Sequence, residues 1–294
     1  MTSKTLQKAR DYEVKMEEKI AEESRPAFHL SARVGWMNDP NGFSYYNGEY
    51  HMFYQYHPYD AYWGPMHWGH AVSKDLLHWE YRPVAIAPDM EYDKDGCFSG
   101  SAVTLPDGRH LLMYTSVERK EEADGVVRDF QTQSVAIGDG MDYEKYENNP
   151  VLTAADLPEG CSRYDFRDPK MWQLEDGSYL CVIGNRPADG SGQILLFSSP
   201  DALNWKYEKI LDANNNRYGK MWECPDFYPV GDKYVLMFSP MGGKERTSVY
   251  LVGDFDYDTG KFFYTTSGEI DWGFDYYAPQ SFLAPDGRRI LVGW

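Results

Sequence analysis

Five hairpin-type turns, Asn47-Gly48, Asp107-Gly108, Asp176-Gly177, Gly231-Asp232 and Asp286-Gly287, punctuate this chain at intervals of 54 to 69 residues. Such pairs supply the positive backbone φ that tight hairpins need, and aromatic and β-branched runs flank them at residues 50–54, 111–114 and 234–238. Each interval is long enough for four short strands. Radial packing of four-stranded sheets removes exposed edges, so the repeat predicts an all-β chain, a five-bladed β-propeller. It overrides the two-domain expectation that 294 residues would otherwise raise.

Residues 4–24 read differently, with Leu6, Ala9, Tyr12, Met16 and Ile20 at steps of three and four on a charged segment that Pro26 ends. The expected division is therefore an N-terminal helical appendage over 1–25 and a propeller over 26–294. The segments running from Ser73 to Trp79 and from Ser199 to Trp205 match each other and predict turns between the outer strands of blades one and three. The fifth copy starts near Tyr276 and Tyr277, turns at Gly287 and reaches Trp294 seven residues later, which predicts an incomplete fifth blade. Two outer strands are then missing, unless a segment near residues 28–30 completes the sheet.

The same register organises the chemistry. Counting back nine residues from the turn glycine lands on Asp39 in the first copy and Asp168 in the third, and counting back eight lands on Glu223 in the fourth. Any one of these is explained by an Asp-Pro or Glu-Cys-Pro turn at a strand start. Three in register predict carboxylates that meet at the ring axis. Like charges at close range raise at least one pKa, giving one acid and one base, the division that glycoside hydrolysis uses. Arg167 is expected to help keep its neighbour Asp168 ionised.

Aromatic residues make up 16% of the chain, and Trp36, Trp63, Phe98 and Trp222 lie beside these motifs or at inner-strand starts. Flat rings pack on the apolar faces of sugars, while amides such as Asn38 and Gln55 bind hydroxyls. A small-molecule sugar is the expected partner. Forty-six acidic against 29 basic residues give a net charge of −17, which repels nucleic acid and anionic lipid, so neither is expected. No apolar run approaches the roughly 20 residues a spanning helix needs, and no secretory signal is read at the N-terminus. Cys97, Cys161, Cys181 and Cys224 are scattered without CxxC spacing, so reduced thiols in the cytoplasm are expected. His67, His70 and His78 could ligate a metal with the acids, but no ligand motif is present; neither a metal nor a cofactor is expected.

Trp36-Met37-Asn38-Asp39-Pro40-Asn41-Gly42, Phe98-Ser99-Gly100-Ser101-Ala102-Val103, Arg167-Asp168-Pro169 and Glu223-Cys224-Pro225 together resemble the hallmark motifs of glycoside hydrolase family 32, in order and spacing. The resemblance runs from about residue 26 to the end. It implies a retaining hydrolase of terminal β-D-fructofuranosyl units, acting on sucrose or sucrose 6-phosphate, with Asp39 as nucleophile, Glu223 as acid/base and Asp168 as transition-state stabiliser. It further implies sugar-binding roles for Asn38, Gln55, Trp63, Phe98, Ser99 and Arg167, beside the Trp36 read above from its position. Arg25-Pro26-Ala27-Phe28-His29 after the helix resembles bacterial cytoplasmic members. The family's C-terminal β-sandwich has no counterpart in these residues. A fructan exo-hydrolase or fructosyl transferase would share every one of these residues, and a non-catalytic carbohydrate-binding propeller is the reading from another class.

Overall fold

At Asn47 and Gly48 the backbone takes φ values of 50° and 86°, and Tyr46 pairs with Glu49 across a two-residue hairpin. Three of the remaining turns are alike: Gly108, Gly177 and Gly287 have φ near 86°, 88° and 85°. In each the preceding amide, of Leu105, Leu174 or Ala284, donates across the turn to the carbonyl of Arg109, Ser178 or Arg288 at 2.8 Å. These turns organise a computed structural model that describes residues 2–213, 217–244 and 247–294.

Four sheets are four-stranded antiparallel meanders. The first holds β1 (Trp36–Tyr46), β2 (Glu49–His57), β3 (His67–Ser73) and β4 (Trp79–Ile86). The second holds β5 (Gly96–Thr104), β6 (His110–Glu121), β7 (Val127–Gly138) and β8 (Tyr143–Lys145). The third holds β9 (Cys161–Gln173), β10 (Tyr179–Pro187), β11 (Gln193–Ser199) and β12 (Lys206–Ala213), and the fourth β13 (Met221–Val230), β14 (Lys233–Met241), β15 (Val249–Asp256) and β16 (Lys261–Glu269). A fifth sheet has two strands, β17 (Gln280–Leu283) and β18 (Arg289–Val292). Among the described residues the fold is thus an all-β propeller of four full blades with one α-helix and, in place of the expected fifth blade, a small two-stranded sheet. Residues 26–35 form no strand, so the segment near Phe28 does not complete that sheet.

The core lies between successive sheets, and strand periodicity explains how one blade serves two neighbours. Along β10, Cys181 and Ile183 join the cluster with Leu111, Met113 and Val135 of blade two, while Leu180 and Val182 join Leu236 and Phe238 of blade four. Successive side chains point to opposite faces, so a strand buried on both sides reads as a continuous apolar run. Phe53, Trp68 and Ile86 pack on Leu112 and Tyr114 between blades one and two. The fifth sheet packs on blade one through Phe282, whose ring meets Phe43 at 4.4 Å.

Helix α1 (Lys4–Glu17) is capped by Ser3, whose hydroxyl accepts from the Leu6 amide at 3.1 Å. Leu6 and Ala9 are buried with Val84 and Ala87 of blade one. The helix stops earlier than the apolar stripe suggested, because the amides of Lys19 and Ile20 turn to the carbonyls of Met16 and Glu17, three residues back. The matched outer turns form as expected. Asp75 and Asp201 each accept two amides of their turn, and Leu76 and Ala202 take φ of 69° and 64°. No helix among the described residues is long and apolar enough to cross a membrane.

Candidate active site

Every full blade carries a one-residue irregularity in its inner strand, at the same level. The register of β1 on β2 shifts between Met37 and Pro40, that of β5 on β6 between Phe98 and Gly100, and that of β13 on β14 between Glu223 and Asp226. On β9 the shift falls between Arg167 and Lys170. A bulge adds one residue and re-aims its side chain, which is how a strand edge can present a carboxylate to the axis. Asp168 and Cys224 adopt φ of 65° and 49°, backbone that non-glycine residues hold only when the surroundings impose it.

The bulges bring Asp39, Asp168 and Glu223 into one cleft of about 830 Å³. The Ser99 hydroxyl donates to Asp39 Oδ2 at 2.6 Å and Asn38 Nδ2 donates to Oδ1 at 3.1 Å. Asp168 Oδ2 accepts the Cys224 amide at 2.9 Å, and the Asp168 amide donates to Thr115 Oγ1 at 2.9 Å. Cys224 Sγ lies 3.5 Å from Asp39 Oδ2 and 3.6 Å from Asp168 Oδ2, so a single thiol spans the two carboxylates. Glu223 is gripped from two sides. Arg167 donates to Oε1 through Nε at 3.0 Å and Nη2 at 2.9 Å, and the Tyr277 hydroxyl donates to Oε2.

Burial raises the pKa of Asp39, with the Glu223 charge adding to it and the Ser99 hydrogen bond opposing it. Asp168 is pushed up to about 7, again first by burial and then by Glu223 and Asp39, against the opposing pull of Arg167. Arg167 does pull Asp168 toward its ionised form, as its place in the sequence suggested, but burial outweighs that pull. Its guanidinium turns to Glu223 and to Asp165 Oδ1, 3.0 Å from Nη1. The reason is local: neighbouring residues on a strand point apart, and the bulge at Asp168 aims that carboxylate elsewhere.

Asn38, Gln55, Trp63, Phe98, Ser99 and Arg167 all line the cleft. Trp63 and Phe98 meet edge to face at 5.9 Å, and Gln55 is fixed by donating to the Cys97 carbonyl at 2.9 Å. Trp36 is not among the lining residues; its indole donates to Asn38 Oδ1 at 2.8 Å and orients that amide. His67, His70 and His78 lie apart from one another in function. His67 Nδ1 meets the Pro65 carbonyl at 3.0 Å, His70 stacks on Phe53 at 4.2 Å, and His78 is exposed beside Asp75.

Several lining residues escaped the sequence reading: Tyr277, Gln131, Asp165 and three rim arginines, Arg119, Arg128 and Arg186. Each arginine is paired, with Asp129 at 2.7 Å, Asp124 at 2.6 Å and Asp165 at 2.5 Å respectively. A signal existed for Tyr277, which stands ten residues before Gly287, next to the register position of the acids. Ser99 likewise stands nine residues before Gly108. The arginines offered none.

The sequence profile of the glycosyl hydrolases family 32 N-terminal domain matches residues 29–294. A raffinose invertase of Escherichia coli is 46% identical over 279 residues, covering 92% of this chain and 56% of that protein. A sucrose-6-phosphate hydrolase of Escherichia coli is 42% identical over 305 residues, covering all of this chain and 62% of that protein. The structure of a mutant Bombyx mori GH32 beta-fructofuranosidase in complex with sucrose superposes with a TM-score of 0.90 at 38% identity, covering 100% of this chain and 62% of that one. This chain spans about three fifths of the length of these relatives. Bulged carboxylates at matched blade positions and a profile match over nearly the whole chain lead to one conclusion: the chain belongs to glycosyl hydrolase family 32.

Proposed function

We propose that this chain is the catalytic propeller of a retaining glycoside hydrolase that removes terminal β-D-fructofuranosyl units from sucrose or sucrose 6-phosphate. The observation that carries the proposal is the convergence of Asp39, Asp168 and Glu223 in a cleft walled by Trp63 and Phe98. Asp39, kept accessible to the cleft and steadied by Ser99 and Asn38, attacks the anomeric carbon of the fructosyl unit. The glycosidic C–O bond breaks as Glu223 passes its proton to the departing glucosyl oxygen. Water then adds to the same carbon, giving its proton to Glu223 and releasing Asp39. Asp168 grips fructosyl hydroxyls, and Arg167 with Tyr277 holds Glu223 in line.

In the same reading the two-stranded sheet is the inner half of a fifth blade, since it delivers Tyr277 as the other blades deliver their acids. Residues 1–25 are an added helical layer on a propeller of 26–294. Sugar is the partner, no metal or cofactor takes part, and the four free cysteines fit a cytoplasmic setting. The test is fructose release from sucrose and sucrose 6-phosphate, with the first-formed anomer read by NMR. β-Fructofuranose as the initial product is expected from wild type, and none from Asp39→Asn that still binds sugar. An inverted first product, or full turnover by Asp39→Asn, would overturn the assignment.

A further inference from the structure

A line of alternating charge runs from the floor of the cleft to its rim. Glu223 Oε1 receives Arg167, Arg167 Nη1 reaches Asp165 Oδ1 at 3.0 Å, and Asp165 Oδ2 meets Arg186 Nη2 at 2.5 Å. Asp165 is held in place from behind: its amide donates to Ser162 Oγ at 3.1 Å and its carbonyl accepts Asn185 Nδ2 at 2.7 Å. Arg167 has only 9% of its side chain exposed and Asp165 16%, so the inner pairs are poorly screened, whereas Arg186 is 41% exposed at the rim. Asp165 therefore divides its charge between a buried guanidinium that restrains Glu223 and an open one that solvent reaches.

Resting on the functional reading above, we propose that Asp165 is a positioning residue for proton donation: it takes a share of the Arg167 charge that would otherwise bear wholly on Glu223, and so favours proton delivery to a poor leaving group. Arg186 sets how much of the Asp165 charge is available for that task. Arg167 faces three carboxylates, Glu223, Asp165 and the neighbouring Asp168. Neutralising Asp165 leaves the Arg167 charge more fully on Glu223, whose Oε1 it already holds through Nε and Nη2, and slows acid-assisted departure. Neutralising Arg186 does the reverse, because Asp165 then pulls on Arg167 alone. The groups facing Glu223 from other elements, Tyr277, Asp39 and Asp168, are unchanged in both cases.

The test compares kcat on sucrose, whose departing glucosyl oxygen must be protonated, with kcat on an aryl β-D-fructofuranoside, whose phenolate leaves without a proton. The ratio of the two cancels losses of folded enzyme and changes in fructosyl binding. Asp165→Asn is expected to lower the sucrose-to-aryl kcat ratio by about 10- to 100-fold, while Arg186→Gln is expected to raise it. If Asp165→Asn fails to fold, Arg186→Gln carries the test alone, because a ratio that falls there, or stays within twofold of wild type, contradicts the proposed direction. An Asp165→Asn ratio within twofold of wild type would also overturn the proposal. Wild type inactive on both substrates would instead count against the glycosidase reading itself.

Discussion

Glu13 offers a test of how the helix is attached to the propeller. It projects from α1 into the first blade with 2% of its surface exposed, where Oε1 accepts the Val84 amide at 3.2 Å and faces Arg33 at 3.2 Å. Burial outweighs these partners and raises its pKa from 4.5 to about 7. A carboxyl whose folded pKa lies above its unfolded value binds its proton more tightly in the native state. Its contribution to stability is therefore complete below pH 4.5 and lost as pH rises through 7. At 1.36 kcal/mol per unit, the contribution gained on going from pH 8.5 to pH 5 is about 2.5 kcal/mol. Glu13→Gln keeps an acceptor for Val84 and cannot titrate, while all other groups are common to both proteins. Urea unfolding of both, followed at pH 5, 6, 7 and 8.5, should show wild type gaining about 2.5 kcal/mol on the variant as pH falls across that range. A difference that stays constant within about 0.5 kcal/mol, or that moves the other way, would refute the burial argument.

Replacing Glu223 by Gln should reduce kcat on sucrose by about 100- to 10,000-fold, and full activity in this variant would remove it from the acid/base role. Gly100→Ala places a methyl group 1.9 Å from the Met113 carbonyl oxygen, in the bulge that aims Ser99 at Asp39. Its melting temperature should fall and its kcat/KM with it, and an unchanged protein by both measures would show that the bulge has room the structure does not display. Phe238 is fully buried and stacks at 3.8 Å on Trp222 of its own blade, within the cluster that joins blades three and four. Phe238→Ala should cost about 3 to 5 kcal/mol in urea unfolding, and a loss below about 1 kcal/mol would mean that this cluster is not part of the cooperative core.

The contrast between what the sequence disclosed and what it concealed follows from how strands present side chains. Turn glycines were legible because φ near 86° at Gly48 or Gly108 is a position that only a few residue types hold without cost. Four full blades followed from their spacing, whereas the fifth copy forms only a two-stranded sheet, and the three acids followed from a similar distance to those turns. Direction was another matter. On a strand a shift of one residue sends a side chain to the opposite face, and each of the three inner strands that carries an acid hides an added residue within a few positions of it. That is why Arg167 could be placed beside Asp168 by sequence and yet restrain Glu223, 56 residues away. The rim arginines were illegible for a related reason. Arg186 stands 21 residues from Asp165, on the adjacent strand β10, and only the folded register makes them partners. Residues fixed by local backbone demands are readable from a single chain, whereas those fixed by the meeting of two strands are readable only in part. A cleft assembled from four sheets and the segments flanking a fifth is governed mostly by the second kind, so the charges that line it emerge with the fold.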